Sequence, residues 1–137
     1  MMTTAQRRVL LIDDSATDRQ FLEIAIRRAG LDIDWQTVDS CTACTRHLAA
    51  IAAREEAPPE LVVLDQRLDD GLGSDLLPAL RQSLPEDLPV VVFSTSSSDW
   101  DRQHFAHDPH VTYLVKPHTL AGYDQIIEHI RTAPVRT

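Results

Sequence analysis

Apolar residues along this chain gather in five short runs, and the segments between them carry apolar positions at helical spacing. Val9–Ile12 is apolar throughout, which marks an interior strand covered on both faces. Ile33–Val38 alternates in part and reads as a strand nearer the edge. Leu61–Leu64, Val90–Phe93 and Val111–Val115 supply three more strands. Leu22, Ala25, Ile26 and Ala29 form one helical stripe, predicting a helix from Ala16 to Ala29 with Gly30 as its stop. An alanine-rich helix is expected from Ser40 to about Arg54, ended by Pro58 and Pro59. Gln66–Ser74 reads as a polar loop. Leu76, Leu77, Leu80 and Leu84 predict a short helix with Pro78 in its first turn, where a missing N–H matters least. Ser94–Asp101 is a serine-rich loop, the helix after it is weak, and Pro109 stops it. Leu120, Tyr123, Ile127 and Ile130 mark a last helix, with a frayed tail expected from Thr132.

Repeated strand–helix alternation predicts an α/β fold with a parallel sheet between helices and right-handed crossovers. In such sheets ligands bind beyond the carboxyl ends of the strands, where the strand order switches. The residues that fall there are Asp13 and Asp14 after the first run, Asp65 after the third, Ser94 after the fourth, and Lys116 after the fifth.

Three converging carboxylates repel one another unless a counterion arrives. All-oxygen ligands favour Mg²⁺, or Mn²⁺ in its place, over zinc. Asp65 could serve as a ligand or as a nucleophile forming an acyl phosphate. Lys116 offers a point charge for a phosphate oxygen, Ser94 a hydroxyl, and the Gln66–Arg67 turn backbone N–H groups. A carboxylate, a divalent ion, an ammonium and a hydroxyl are the parts phosphoryl transfer needs.

With 137 residues, a single domain over residues 1–137 is expected, with its core at about 8–131. The net charge of -8 argues against direct nucleic-acid binding and against an anionic membrane surface. No apolar run approaches the roughly 18 residues of a spanning helix. Met1–Arg8 lacks the apolar stretch of a leader, so the cytoplasm is the expected location. Cys41 and Cys44 read as small packing residues on one helix. A redox pair or half of a zinc site are the alternatives, and no second cysteine pair exists to complete the latter. His104, His107 and His110 read as surface histidines, with a metal site as the rival. Trp100, Phe105 and Tyr123 read as packing or docking residues.

The segments VLLIDDS (Val9–Ser15), LVVLDQRLDDGLG (Leu61–Gly73), PVVVFSTS (Pro89–Ser96) and YLVKP (Tyr113–Pro117) together resemble the receiver domain of two-component response regulators. The resemblance covers about Arg8 to Arg131. It implies a flavodoxin-like three-layer sandwich: a five-stranded parallel sheet, order 2-1-3-4-5, flanked by five helices. It also implies phosphorylation of Asp65 with Mg²⁺ by a histidine kinase or a histidine phosphotransfer protein. Asp14 then matches the direct metal ligand, Asp13 its water-linked neighbour, and the Arg67 backbone carbonyl the third protein ligand. Lys116 matches the lysine on the acyl phosphate. Ser94 and Tyr113 match the switch pair that couples the site to the face of the fourth helix, fifth strand and fifth helix, through which family members also pair as homodimers. Arg67 and Ser96 stand where side chains tune phosphoryl lifetime. Asp69 departs from the family, which often carries proline there, whereas Gly73 fits, and Thr95 leaves access open for a donor. No output domain follows in this sequence, so a stand-alone regulator is expected. DDSATDR and the serine-rich stretch look most like regulators found beside phytochrome-like or hybrid kinases. One alternative is a pseudo-receiver, folded alike but used as an interaction module. Another is a phosphatase of haloacid-dehalogenase type, whose DxD after the first strand is absent here. A nucleotide-binding module lacks its GxxxxGK or GxGxxG loop.

Overall fold

The five apolar runs pair into one parallel sheet. In the computed structural model, which describes residues 6–134, they are β1 (Arg7–Ile12), β2 (Ile33–Val38), β3 (Leu61–Leu64), β4 (Val90–Ser94) and β5 (Val111–Val115). The order is β2-β1-β3-β4-β5, so the direction of strand addition reverses next to β1. In register, Val9 stands beside both Trp35 and Leu61, and Ile12 beside both Val38 and Leu64. The helices are α1 (Ala16–Arg28), α2 (Cys41–Ala52), α3 (Gly73–Ser83), α4 (Asp99–Gln103) and α5 (Asp124–Thr132), the last preceded by a 3₁₀ turn at Leu120–Tyr123.

Successive strand residues point to opposite faces, and here both faces are covered. Leu10, Ile12, Val62, Leu64, Val90 and Val92 pack under α2 and α3 with Phe105. Val9, Leu11, Leu61, Val63, Val91 and Phe93 pack under α1 and α5. That double covering is why β1, β3 and β4 read as unbroken apolar runs. β2 and β5 form the edges and are only half-buried.

Ser15 caps α1 by accepting from the Asp18 N–H, and Ser40 caps α2 by accepting from that of Ala43. Gly30 ends α1 at φ +80°, with its own N–H on Arg27 O and the Leu31 N–H on Ile26 O.

Three expectations need correction. Pro78 lies inside α3, not in its first turn, because the helix starts at Gly73, ahead of the leucine stripe. Gln66 draws the start forward: its backbone oxygen accepts from Gly73 N at 2.9 Å and its side-chain oxygen from Ser74 N at 2.8 Å. Gly73 is also the one residue type that fits, since a Cβ there would collide with the Asp65 carbonyl oxygen. Second, the segment after Asp65 is not simple loop, because Arg67–Leu68 and Gly71–Leu72 pair as a small antiparallel ribbon. Third, the tail stays packed past Thr132: Ala133 is buried and its carbonyl accepts from Arg7 Nε at 2.9 Å. The rest of that tail, and most of the N-terminal segment read as leaderless, fall in residues 1–5 and 135–137, outside the described residues.

The weak helix is short, five residues in α4, and it begins at Asp99, inside the segment expected as loop, because Ser98 caps it by accepting from the Asp101 N–H. Cys44 is fully buried and Cys41 half-buried, and both are free thiols. Burial pushes Cys41 up to about 11 and Cys44 up to about 12, which keeps both protonated near neutral pH. Among the described residues no helix is long and apolar enough to cross a membrane.

Candidate functional site

The strand ends converge as their order requires. The Asp13 N–H continues the β1–β2 ladder onto Val38 O at 3.1 Å, and the Asp65 N–H continues β3 onto Ile12 O at 2.9 Å. The Lys116 N–H reaches Ser94 O at 2.8 Å. Backbone pairing thus fixes three of the candidate residues before any side chain acts.

Lys116 joins the acidic groups. Its Nζ donates to Asp13 Oδ2 at 2.8 Å, to Asp18 Oδ2 at 2.9 Å and to Asp65 Oδ2 at 3.1 Å. Asp13, Asp65 and Lys116 are buried, and Asp14 is half-buried. The second oxygens are also held: Asp13 Oδ1 accepts from Ser15 N at 2.9 Å and Asp65 Oδ1 from Arg67 N at 3.2 Å. Arg19 donates to the Asp13 carbonyl at 2.6 Å. Burial alone would lower the Lys116 pKa, but Asp65, Asp13 and Asp18 outweigh it and raise it. Burial pushes the Asp13 carboxyl up, against the pull of Lys116. One ammonium among four carboxylates leaves the site short of positive charge.

A small hard cation fits this donor set. One carboxylate oxygen from each of Asp13, Asp14 and Asp65 lies within 4.8 Å of the others, a span that opposite vertices of an octahedron with bonds of about 2.1 Å nearly match. The histidines at 104, 107 and 110 do not form such a group among the described residues.

Ser94 is buried at the end of β4, and its Oγ accepts from Ser96 N at 3.3 Å. The Tyr113 hydroxyl donates to Ser96 O at 2.8 Å, so Ser96 lies between the two switch candidates. The Tyr113 ring sits 4.7 Å under the Arg102 guanidinium and 6.0 Å from the Phe105 ring.

Several participants escaped the sequence. Asp18 is a third partner for Lys116; its only signal was its place four residues after Asp14, one helical turn along. Asp69 lies in hydrogen-bond range of Asp14, which raises the pKa of Asp69. Gln66 and Asp101 are both buried and bonded to each other at 3.1 Å. The spacing Ser98-x-x-Asp101 has the form of a capping box, a signal for a helix start but not for a buried carboxylate.

A doubly wound sheet with a metal-ready carboxylate cluster, a buried lysine and a buried serine at its strand ends defines a phosphoacceptor domain. The profile of the "Response regulator receiver domain" family matches residues 9–131, and the chain belongs to that family. Over 128 residues it is 30% identical to the DNA-binding transcriptional regulator NtrC of Rhizobium meliloti, matching 93% of this chain and 25% of that protein. The chain thus spans about a quarter of that relative's length. Among solved structures, the Mn(2+)-bound form of response regulator Rcp1 superposes with a TM-score of 0.77 at 22% identity, covering 96% of this chain and 99% of that one. The phosphorylated cyanobacterial phytochrome response regulator RcpA gives a TM-score of 0.73 at 25% identity, covering 96% and 98%. Residues 9–131 thus form a receiver domain of the two-component response regulator family, with a carboxylate cluster suited to a metal ion at its strand ends.

Proposed function

We propose that Asp65 accepts a phosphoryl group from the phosphohistidine of a histidine kinase or a histidine phosphotransfer protein. The observation that carries this is the placement of the Asp65 carboxylate, buried and bonded to Lys116 within the group that fits a cation. Asp13, Asp14, Asp65 and the Arg67 backbone carbonyl would hold Mg²⁺, or Mn²⁺ in its place. The ion supplies charge neutralisation at the phosphoryl oxygens. The similarity to RcpA, a phosphorylated regulator, also supports the reading.

An Asp65 oxygen attacks phosphorus as the P–N bond of phosphohistidine breaks, and the imidazole nitrogen keeps the electron pair. Lys116 turns from its carboxylates to a phosphoryl oxygen. The Ser94 hydroxyl donates to another. Drawing Ser94 inward pulls on Ser96, which carries both the Ser94 contact and the Tyr113 contact. That moves Tyr113 and changes the face of α4, β5 and α5, where an effector or a second copy of the chain would dock. Arg67 and Ser96 set the lifetime of the acyl phosphate.

A beryllofluoride titration tests this. Saturable binding that requires Mg²⁺ and is lost in Asp65→Asn is expected. Absence of binding in the parent chain would favour an interaction module that is never phosphorylated.

A further inference from the structure

Asp101 lies outside the acidic cluster, yet it is fully buried and accepts hydrogen bonds from four side chains. Gln66 Nε2 donates to its Oδ1 at 3.1 Å. Its Oδ2 accepts from Arg67 Nε at 3.3 Å and Nη2 at 3.0 Å, from Ser98 Oγ at 3.1 Å, and from Ser96 Oγ. Burial alone would raise its pKa, but the bonds from Ser96, Gln66, Arg67 and Ser98 hold it down at about 2. The group is a carboxylate at any neutral pH.

Its partners lead directly to the reaction centre. Gln66 and Arg67 are the two residues after Asp65. Arg67 divides its contacts: its backbone N–H touches Asp65 Oδ1 at 3.2 Å, while its guanidinium goes to Asp101 and lies 5.6 Å from the Trp100 ring centre. An arginine whose own N–H meets the acceptor carboxylate is within side-chain reach of a group attached to that carboxylate. Two anions therefore compete for one guanidinium: Asp101, and a phosphoryl group on Asp65. Arginine binds both carboxylate and phosphate through paired N–H bonds.

We propose that Asp101 is a positioning residue for acyl-phosphate hydrolysis: it holds the Arg67 guanidinium away from the phosphoryl group and keeps that group open to water. The inference rests on Asp65 being the phosphoacceptor. In hydrolysis a water oxygen bonds to phosphorus as the P–O bond to Asp65 breaks. The carboxylate keeps that electron pair, inorganic phosphate leaves, and the water proton passes to phosphate or solvent. An arginine released onto the phosphoryl oxygens would screen that approach.

The test is a double-mutant cycle on dephosphorylation. The parent chain, Asp101→Asn, Arg67→Ala and the double variant are phosphorylated with acetyl phosphate and Mg²⁺, freed of donor, and followed by intact mass. Asp101→Asn should slow hydrolysis about five-fold, the size of one moderate hydrogen-bond contribution to a barrier, and should have no such effect in the Arg67→Ala background. Equal slowing in both backgrounds, or no slowing in a folded Asp101→Asn, overturns the inference and leaves the phosphoacceptor reading standing. No phosphoryl uptake by the parent chain overturns both.

A second measurement keeps Asp101 in place. In a Trp35→Phe background Trp100 is the sole tryptophan. With beryllofluoride and Mg²⁺ saturating, Arg67 should stay on Asp101 beside the Trp100 ring, so Arg67→Ala should change Trp100 emission equally with and without the mimic. An effect of Arg67→Ala that vanishes when the mimic binds would show that Arg67 leaves Asp101 for the site and would overturn the inference.

Discussion

The Nζ of Lys116 lies 2.9 Å from Asp18 Oδ2, closer than its 3.1 Å approach to Asp65 Oδ2. The lysine proposed to serve the acyl phosphate is therefore tethered to the first turn of α1 as well as to Asp65. For Lys116 to serve a phosphoryl oxygen, it must give up part of that contact.

Asp18→Asn should accordingly tighten the phosphorylated state. The Asp18 side chain is 33% exposed, so solvent screening limits the effect. A gain of about three-fold in beryllofluoride affinity is expected, corresponding to a fraction of a kcal/mol. Parallel titrations of parent and variant at fixed Mg²⁺ check it, and weaker binding in the variant would show that Asp18 supports the bound state instead.

Lys116→Met removes the ammonium from between two buried carboxylates. Leaving those groups unpaired should destabilise the fold by about 3 kcal/mol in the presence of a chelator. Mg²⁺ should restore part of the loss, because it binds the native cluster and not the unfolded chain. Urea unfolding with EDTA and with Mg²⁺ measures both effects. A variant as stable as the parent in EDTA would mean that the cluster takes up protons at little expense.

Asp101 sets an acid limit on stability. Its folded pKa of about 2 lies below the unfolded value of about 3.9, so its contribution is present above roughly pH 4 and is lost as pH falls toward 2. Asp101→Asn should flatten the slope of stability against pH in that window. Lys116 has the opposite sign: its raised pKa contributes fully below about pH 10 and is lost at more alkaline pH. Thermal unfolding across both ranges, in parent and variants, reads each slope.

The strands and the clustering of Asp13, Asp14 and Asp65 were legible because local pattern determines them. β1, β3 and β4 are covered on both faces, so each one is an unbroken apolar run, and the residues just past their ends fall at the site by topology alone. The start of α3 was not legible, because Gln66 caps it from seven and eight residues upstream, through its backbone oxygen on the Gly73 N–H and its side-chain oxygen on the Ser74 N–H. Asp18 and Asp101 were missed for a related reason. Their partners lie far along the chain, Lys116 for the one and Gln66 with Arg67 for the other, and no helical or strand periodicity encodes such pairings. Asp101 moreover looks like an exposed capping residue in a serine-rich loop. Only the packed fold shows it buried.

The role of Asp65 is decided by incubation with acetyl phosphate and Mg²⁺ followed by intact mass, comparing the parent chain with Asp65→Asn. One added phosphoryl group on the parent, dependent on Mg²⁺, and none on the variant are expected. Equal labelling of the two chains, or a folded parent that takes up no phosphoryl group, would contradict that role.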